Sequence, residues 1–78
     1  MAEPYEVSSA TKLMQRKVPR LSKWRHLKTG ATYVVIANDA VIEASLTPAI
    51  AYCPLGPAGP MWVRPLAEFL DGRFERIS

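Results

Sequence analysis

The sequence predicts a small, mainly β domain: an antiparallel barrel or strongly bent sheet, with a short N-terminal helix and one helical turn near residues 66–70. Three observations carry that prediction. Extended segments rich in β-branched and aromatic residues recur at roughly ten-residue spacing, as in small all-β domains. Glycines and prolines stand between them, and no long helical periodicity competes. The 78 residues, 49% apolar and 22% charged, have globular composition but suffice for only one thin core.

The elements follow in order. Residues 1–8 read as loosely ordered, since Pro4 forbids a helix interior and an unpacked terminus frays. A serine at position 8 or 9 can cap a helix of about two turns over residues 10–17, which Pro19 and its restriction on Val18 must end. A helix this short persists only if Leu13 and Met14 dock on the body or on a partner. Residues 24–27 lead into a turn at Lys28-Thr29-Gly30, where glycine takes positive φ cheaply. Residues 32–37 form the clearest strand. Asn38-Asp39 reads as a turn, residues 41–44 as a weaker strand, Leu46-Thr47-Pro48 as a break and residues 49–53 as the next strand, stopped by Pro54. Residues 54–60 hold three of the seven prolines and two of the four glycines, hence a stiff loop. Extended structure resumes over residues 61–64, and Leu66, Phe69 and Leu70 have the spacing of one helical turn ended by Asp71-Gly72. Residues 73–77 alternate polar and apolar, a last strand with Phe74 facing inward. The chain therefore divides into a basic leader at 1–21, with the short helix, and a β domain at 22–78. No internal repeat is visible.

Composition removes several function classes. One cysteine makes no internal disulfide, and one cysteine with one histidine builds no structural zinc site. No cofactor or metal is expected. The longest apolar runs are five residues, against roughly 20 for a membrane-spanning helix. The chain opens with acidic residues and lacks an apolar signal core, so the expected compartment is the cytoplasm. Charge is uneven: residues 1–28 carry seven basic residues against two acidic ones, a net +5, and the remainder carries three against five, a net −2. Basic residues every one to four positions from Lys12 to Lys28 suggest contact with phosphate or with an acidic protein face. The competing reading is a solvated arm with no dedicated partner.

No motif prescribes a reaction. His26 is the one side chain able to act as a base near neutral pH, but neither Ser22 nor Cys53 lies in a nucleophile motif, and a histidine tethering the first strand to backbone is the simpler role. Cys53 reads as a small apolar side chain in a strand; facing outward it could instead crosslink two chains. Trp24, Trp62 and Tyr33 read as packing together in the core, against an aromatic groove for proline-rich peptides or a platform for stacking bases. Arg64 and Arg73 read as an ion network with Glu68, Asp71 or Glu75, against a ligand contact. Gly56 and Gly59 stand among prolines that lack backbone donors, which excludes a glycine-rich phosphate loop. With no paired carboxylates in an apolar setting and no HExxH or CxxC spacing, no enzymatic activity is expected.

Trp24-Arg25-His26, Gly30, Tyr33, Leu46-Thr47, Tyr52, Trp62-Val63-Arg64-Pro65, Glu68-Phe69 and Asp71-Gly72-Arg73-Phe74-Glu75 together resemble a family of short bacterial and phage proteins known as domains of unknown function. The resemblance covers about residues 24–77 and is most specific from 62 to 75. It implies a compact SH3-like β-barrel and a phage or prophage accessory gene, and it implies no reaction. The basic leader lies outside it, and the loop at 54–60 replaces a short polar hairpin turn. Loops and termini are where binding residues concentrate on a rigid scaffold.

Together with the absence of a catalytic motif, the resemblance implies a non-enzymatic phage accessory protein, in the host-cell cytoplasm, that binds a larger host protein or nucleoprotein complex, a host-defence inhibitor of the anti-CRISPR kind. The first alternative is direct nucleic-acid binding, and a further one is a virion component. The expected partner-binding residues are Lys12, Arg16, Lys17, Arg20, Lys23, Arg25, Lys28, Arg64 and Arg73. No membrane partner is expected, and the chain is expected as a monomer or weak homodimer.

Overall fold

A computed structural model describes residues 7–56 and 59–78. The chain is mainly β, with helix α1 (Ser9–Arg16), strands β1 (Lys23–His26), β2 (Thr32–Ile42), β3 (Thr47–Pro54) and β4 (Trp62–Pro65), the single turn α2 (Leu66–Phe69) and strand β5 (Phe74–Arg76). The strands form one antiparallel sheet in the order β4-β3-β2-β1-β5. The sheet is open, with β4 and β5 as its edges, so the bent sheet rather than a closed barrel is the architecture. Among the described residues no helix is long and apolar enough to cross a membrane.

Helix α1 forms where the sequence predicts it. Ser8 is extended and its hydroxyl accepts the Thr11 backbone N–H, which satisfies one of the helix's open donors. Met14 packs against the core, whereas Leu13, expected to dock beside it, stays exposed. The chain leaving the helix sends Val18 fully into the core. The Leu21 N–H then donates to the Val35 carbonyl at 2.7 Å, tying the leader to the sheet ahead of β1.

The middle of the chain differs from expectation. Asn38-Asp39 is not a turn, and residues 41–44 are not a separate strand, because β2 runs unbroken for 11 residues. Pairing with β3 slips between Val35 and Ala37 and again between Ala37 and Ala40. Each slip places an extra residue on β2, a bulge that bends the strand and increases its twist. The Asn38 amide donates to the Gln15 carbonyl at 3.3 Å, so the second irregularity also holds the end of α1. The reversal falls later, at residues 43–46, with Leu46 in the left-handed region at φ 53°. Thr47 and Pro48, expected as a break, begin β3. Pro48 lies beyond Ala49, where pairing with β4 starts, so its missing donor costs no bond on that side. Residues 1–6, and positions 57 and 58 of the expected stiff loop, lie outside the described residues.

The core comprises Val18, Trp24, Val35, Ile50, Tyr52, Leu66, Phe69 and Phe74. Turn α2 carries Leu66 and Phe69 across the inner face, where Phe69 stacks on Phe74 at 4.4 Å and meets Trp24 edge-on at 5.1 Å. Phe74 faces inward as predicted. Trp24 is 6% exposed, and its indole N–H donates to the Ser22 hydroxyl at 2.9 Å. Ser22 in turn donates to the Pro19 carbonyl, so the buried indole is satisfied and joined to the turn after α1.

Candidate functional site

Strand alternation decides which side chains can meet. Trp24 pairs with Tyr33, His26 with Phe74, Val35 with Tyr52, and Tyr52 with Trp62. Directly paired residues share a face, and so do residues two apart along a strand. His26, Tyr33, Tyr52, Trp62, Arg64 and Phe74 therefore all rise from the inner face, at the end of the sheet away from α1. They line, with Thr29, a groove of about 230 Å³.

The groove continues the aromatic core outward. Tyr33 meets Tyr52 edge-on at 5.2 Å, and Tyr52 and Tyr33 meet Phe74 at 5.6 and 6.1 Å. His26 stands edge-on to Phe74 at 4.9 Å. Its Nδ1 accepts the Thr29 backbone N–H at 3.4 Å, so it sits as the tether of the β1–β2 turn. Trp62 differs from these rings. It is 50% exposed and makes no ring contact among the described residues, where β4 is an edge strand of the sheet. Trp24, Tyr33 and Trp62 thus do not pack as one group: Trp24 is core, Tyr33 packs partly against it, and Trp62 forms the open wall of the groove.

Arg64 closes one side. Its Nε donates to the Tyr52 hydroxyl at 3.1 Å, and its guanidinium carbon lies 5.4 Å from the centre of the Phe74 ring. The Tyr52 hydrogen bond holds its pKa above the ordinary arginine value; partial burial opposes this, and the charges of Glu68 and Asp71 assist it. Among the described residues Arg64 makes no ion pair. The network expected for both arginines belongs to Arg73 alone, whose guanidinium reaches Asp71 at 3.0 Å and Glu68 at 3.6 Å. A second, larger cavity of about 490 Å³ adjoins the groove, lined by His26, Leu27, Lys28, Arg64 and Arg73.

The nine expected binding residues are dispersed. Lys28, Arg64 and Arg73 border the second cavity. Lys12 and Arg16, one helical turn apart, share an exposed face of α1, with Lys17 at its C-cap. This helix lies at the other end of β3, where Thr11 and Met14 line one shallow cavity with Thr47 and Pro48. Arg20 donates to the Ile36 carbonyl at 3.3 Å, beside the first bulge. Lys23 and Arg25 alternate with buried Trp24 and point to the outer face, where Arg25 pairs with Glu75 at 3.3 Å. Cys53, opposite Val34, lies half-buried on that outer face as well.

Sequence reasoning passed over Tyr52, Phe74 and Thr29 as site residues. The signal was in the alternation of 33 with 35, 50 with 52 and 62 with 64, but it becomes readable only once the strand register is known. Among the described residues no group of three His, Cys, Asp or Glu side chains gathers to hold a metal. In comparisons of the chain with family models, with curated proteins and with solved structures, nothing matches, and the site is read from its own geometry.

Proposed function

We propose that the protein is a non-catalytic binding module that holds single-stranded nucleic acid across this aromatic and cationic face. The observation that carries the reading is Trp62, half exposed on an edge strand, in one groove with an arginine free of any ion pair among the described residues. Every base offers a π-face to a ring of this kind, and stacking contributes about 1–3 kcal/mol per base. Duplex bases are already stacked and cannot reach the groove floor. The net charge of +3 adds a long-range attraction for phosphate.

The test is a fluorescence-anisotropy titration of a labelled eight-nucleotide single strand and of the matching duplex, at about 50 and 200 mM salt. The single strand is expected to bind more tightly than the duplex, with an affinity that falls with salt as phosphate contacts release counterions. Equal binding of both forms, or none, overturns the reading.

A second reading has its own support. Leu55, Met61 and Val63 are exposed apolar side chains around the β3–β4 connection, beside an edge strand. Such a surface suits an extended protein segment added to the sheet. An accessory factor that occupies a larger host complex in the cytoplasm, in the phage setting that the resemblance implies, would use it. Saturable capture of one protein that survives Trp62→Ala and is lost on Val63→Asp favours this second reading.

A further inference from the structure

We infer that the groove and the cavity beside it together form a site for one nucleotide, with the base in the groove and its phosphate in the cavity. This rests on the nucleic-acid reading and names the unit recognised. Two observations carry it. The groove, at about 230 Å³, falls below the roughly 300–1,000 Å³ of pockets that enclose drug-sized ligands, so it admits one planar ring system rather than a run of stacked bases. The two cavities share His26 and Arg64 in their walls, so they adjoin across these side chains, with aromatic lining on one side and cationic lining on the other. A base against Trp62 and Tyr33 would carry its sugar over Arg64 and its phosphate toward Lys28.

The charges limit how much phosphate the site holds. Arg73 is occupied by Glu68 and Asp71, whose two carboxylates outweigh its single charge. The remaining cations are Lys28, exposed at the turn, and Arg64, whose Nε is committed to Tyr52 while its terminal nitrogens have no partner among the described residues. Two cations suit a single phosphate group. The guanidinium is also fixed in place by Tyr52 and Phe74 before any ligand arrives, which lowers the ordering cost of binding.

The experiment uses the full chain and nuclear magnetic resonance, titrating in turn adenosine monophosphate, adenosine, inorganic phosphate, adenosine triphosphate and an eight-nucleotide single strand. The monophosphate is expected to move the Trp62 indole, Arg64 guanidinium and Lys28 backbone signals together. Adenosine is expected to move the Trp62 signal alone, with affinity lower by about tenfold or more for the loss of charge-assisted contacts. Phosphate should move Lys28 and Arg64 without Trp62, and the triphosphate should bind no more than a few-fold tighter than the monophosphate. Lys28→Ala, at an exposed turn residue, should bring the monophosphate down toward adenosine. If the strand shifts the groove residues while the monophosphate and phosphate leave Lys28 and Arg64 unmoved, the one-nucleotide site is wrong and the strand reading stands. If the monophosphate binds as described and the strand does not, the site stands as one for a free nucleotide and the strand reading falls. If neither binds, both fall.

Discussion

Replacing Trp62 with alanine tests the wall of the groove, and the structure sets how large two separate effects should be. A fully buried tryptophan or phenylalanine cut to alanine costs about 3–5 kcal/mol. Trp62 is 50% exposed and touches no other ring among the described residues, so the stability cost should be about half that, near 2 kcal/mol. For a domain of this size each kcal/mol moves Tm by about 4–8 °C, a loss of roughly 8–16 °C. If the ring stacks on a base, a further 1–3 kcal/mol is lost from binding, about 5- to 150-fold in Kd. The two effects are separated by measuring anisotropy well below the variant's own Tm, with circular dichroism confirming that it is folded. Trp62→Phe keeps a smaller π-face and should recover part of the affinity. The indole also provides an internal probe: Trp62 fluorescence should be quenched by the strand while the buried Trp24 stays silent. A folded Trp62→Ala protein that binds within twofold of the unaltered chain would refute the reasoning.

Ser22→Ala leaves the Trp24 indole N–H buried without its acceptor, at a cost of about 1–3 kcal/mol in urea unfolding; a change under about 0.5 kcal/mol would show that the contact carries little. Arg25 and Glu75 pair on the outer face with both side chains about half exposed, so a double-mutant cycle should give a coupling below about 1 kcal/mol that fades in high salt. Exchanging Lys12, Arg16 and Lys17 for glutamine should weaken strand binding modestly and flatten its salt dependence, while the same groove signals still move; loss of those shifts would place α1 in the interface. Gly30→Ala places a side chain at φ 77° and should cost about 1 kcal/mol, although the space around it is open. Arg64 has a raised pKa in the fold, so its stabilising contribution is complete below the unfolded-chain value and is lost only as pH rises through the folded one. Both lie above the ordinary working range, and Arg64 should therefore add no pH dependence to stability or binding between about pH 6 and 10, whereas loss of affinity as Arg64 titrates within that window would contradict the Tyr52 contact.

Some of this molecule is local and so was legible in the chain. Ser8 caps α1 because an extended serine ahead of good helix formers needs only the next turn's N–H groups. Thr32 to Ala37 is strand, Leu66 to Phe69 is a helical turn and Phe74 faces the core, since each follows from branching, spacing or alternation within a few residues. Asn38-Asp39 shows where local reasoning stops. Those side chains favour irregular backbone in a turn and in a bulge alike, and pairing with β3 on both sides of them selects the bulge.

The candidate site is of the second kind. Trp24 and Trp62 are the same residue with opposite fates, because Trp24 lies on an interior strand beneath Phe69 and Trp62 on an edge strand. Arg64 and Arg73 differ for the same reason: Arg73 lies within reach of Glu68 and Asp71 through the α2–β5 turn, while Arg64 is drawn by Tyr52 and Phe74 across the sheet. The basic leader looks continuous along the chain, yet the two-residue period of β1 turns Lys23 and Arg25 away from His26, and α1 carries Lys12 and Arg16 to the far end of β3. By itself the sequence determined the class of the fold, its helix and most of its strands, and the excess of positive charge. Which rings and which cations share one groove was decided only by strand register and sheet order, since those contacts join residues far apart in the chain and depend on a pairing that no single segment specifies.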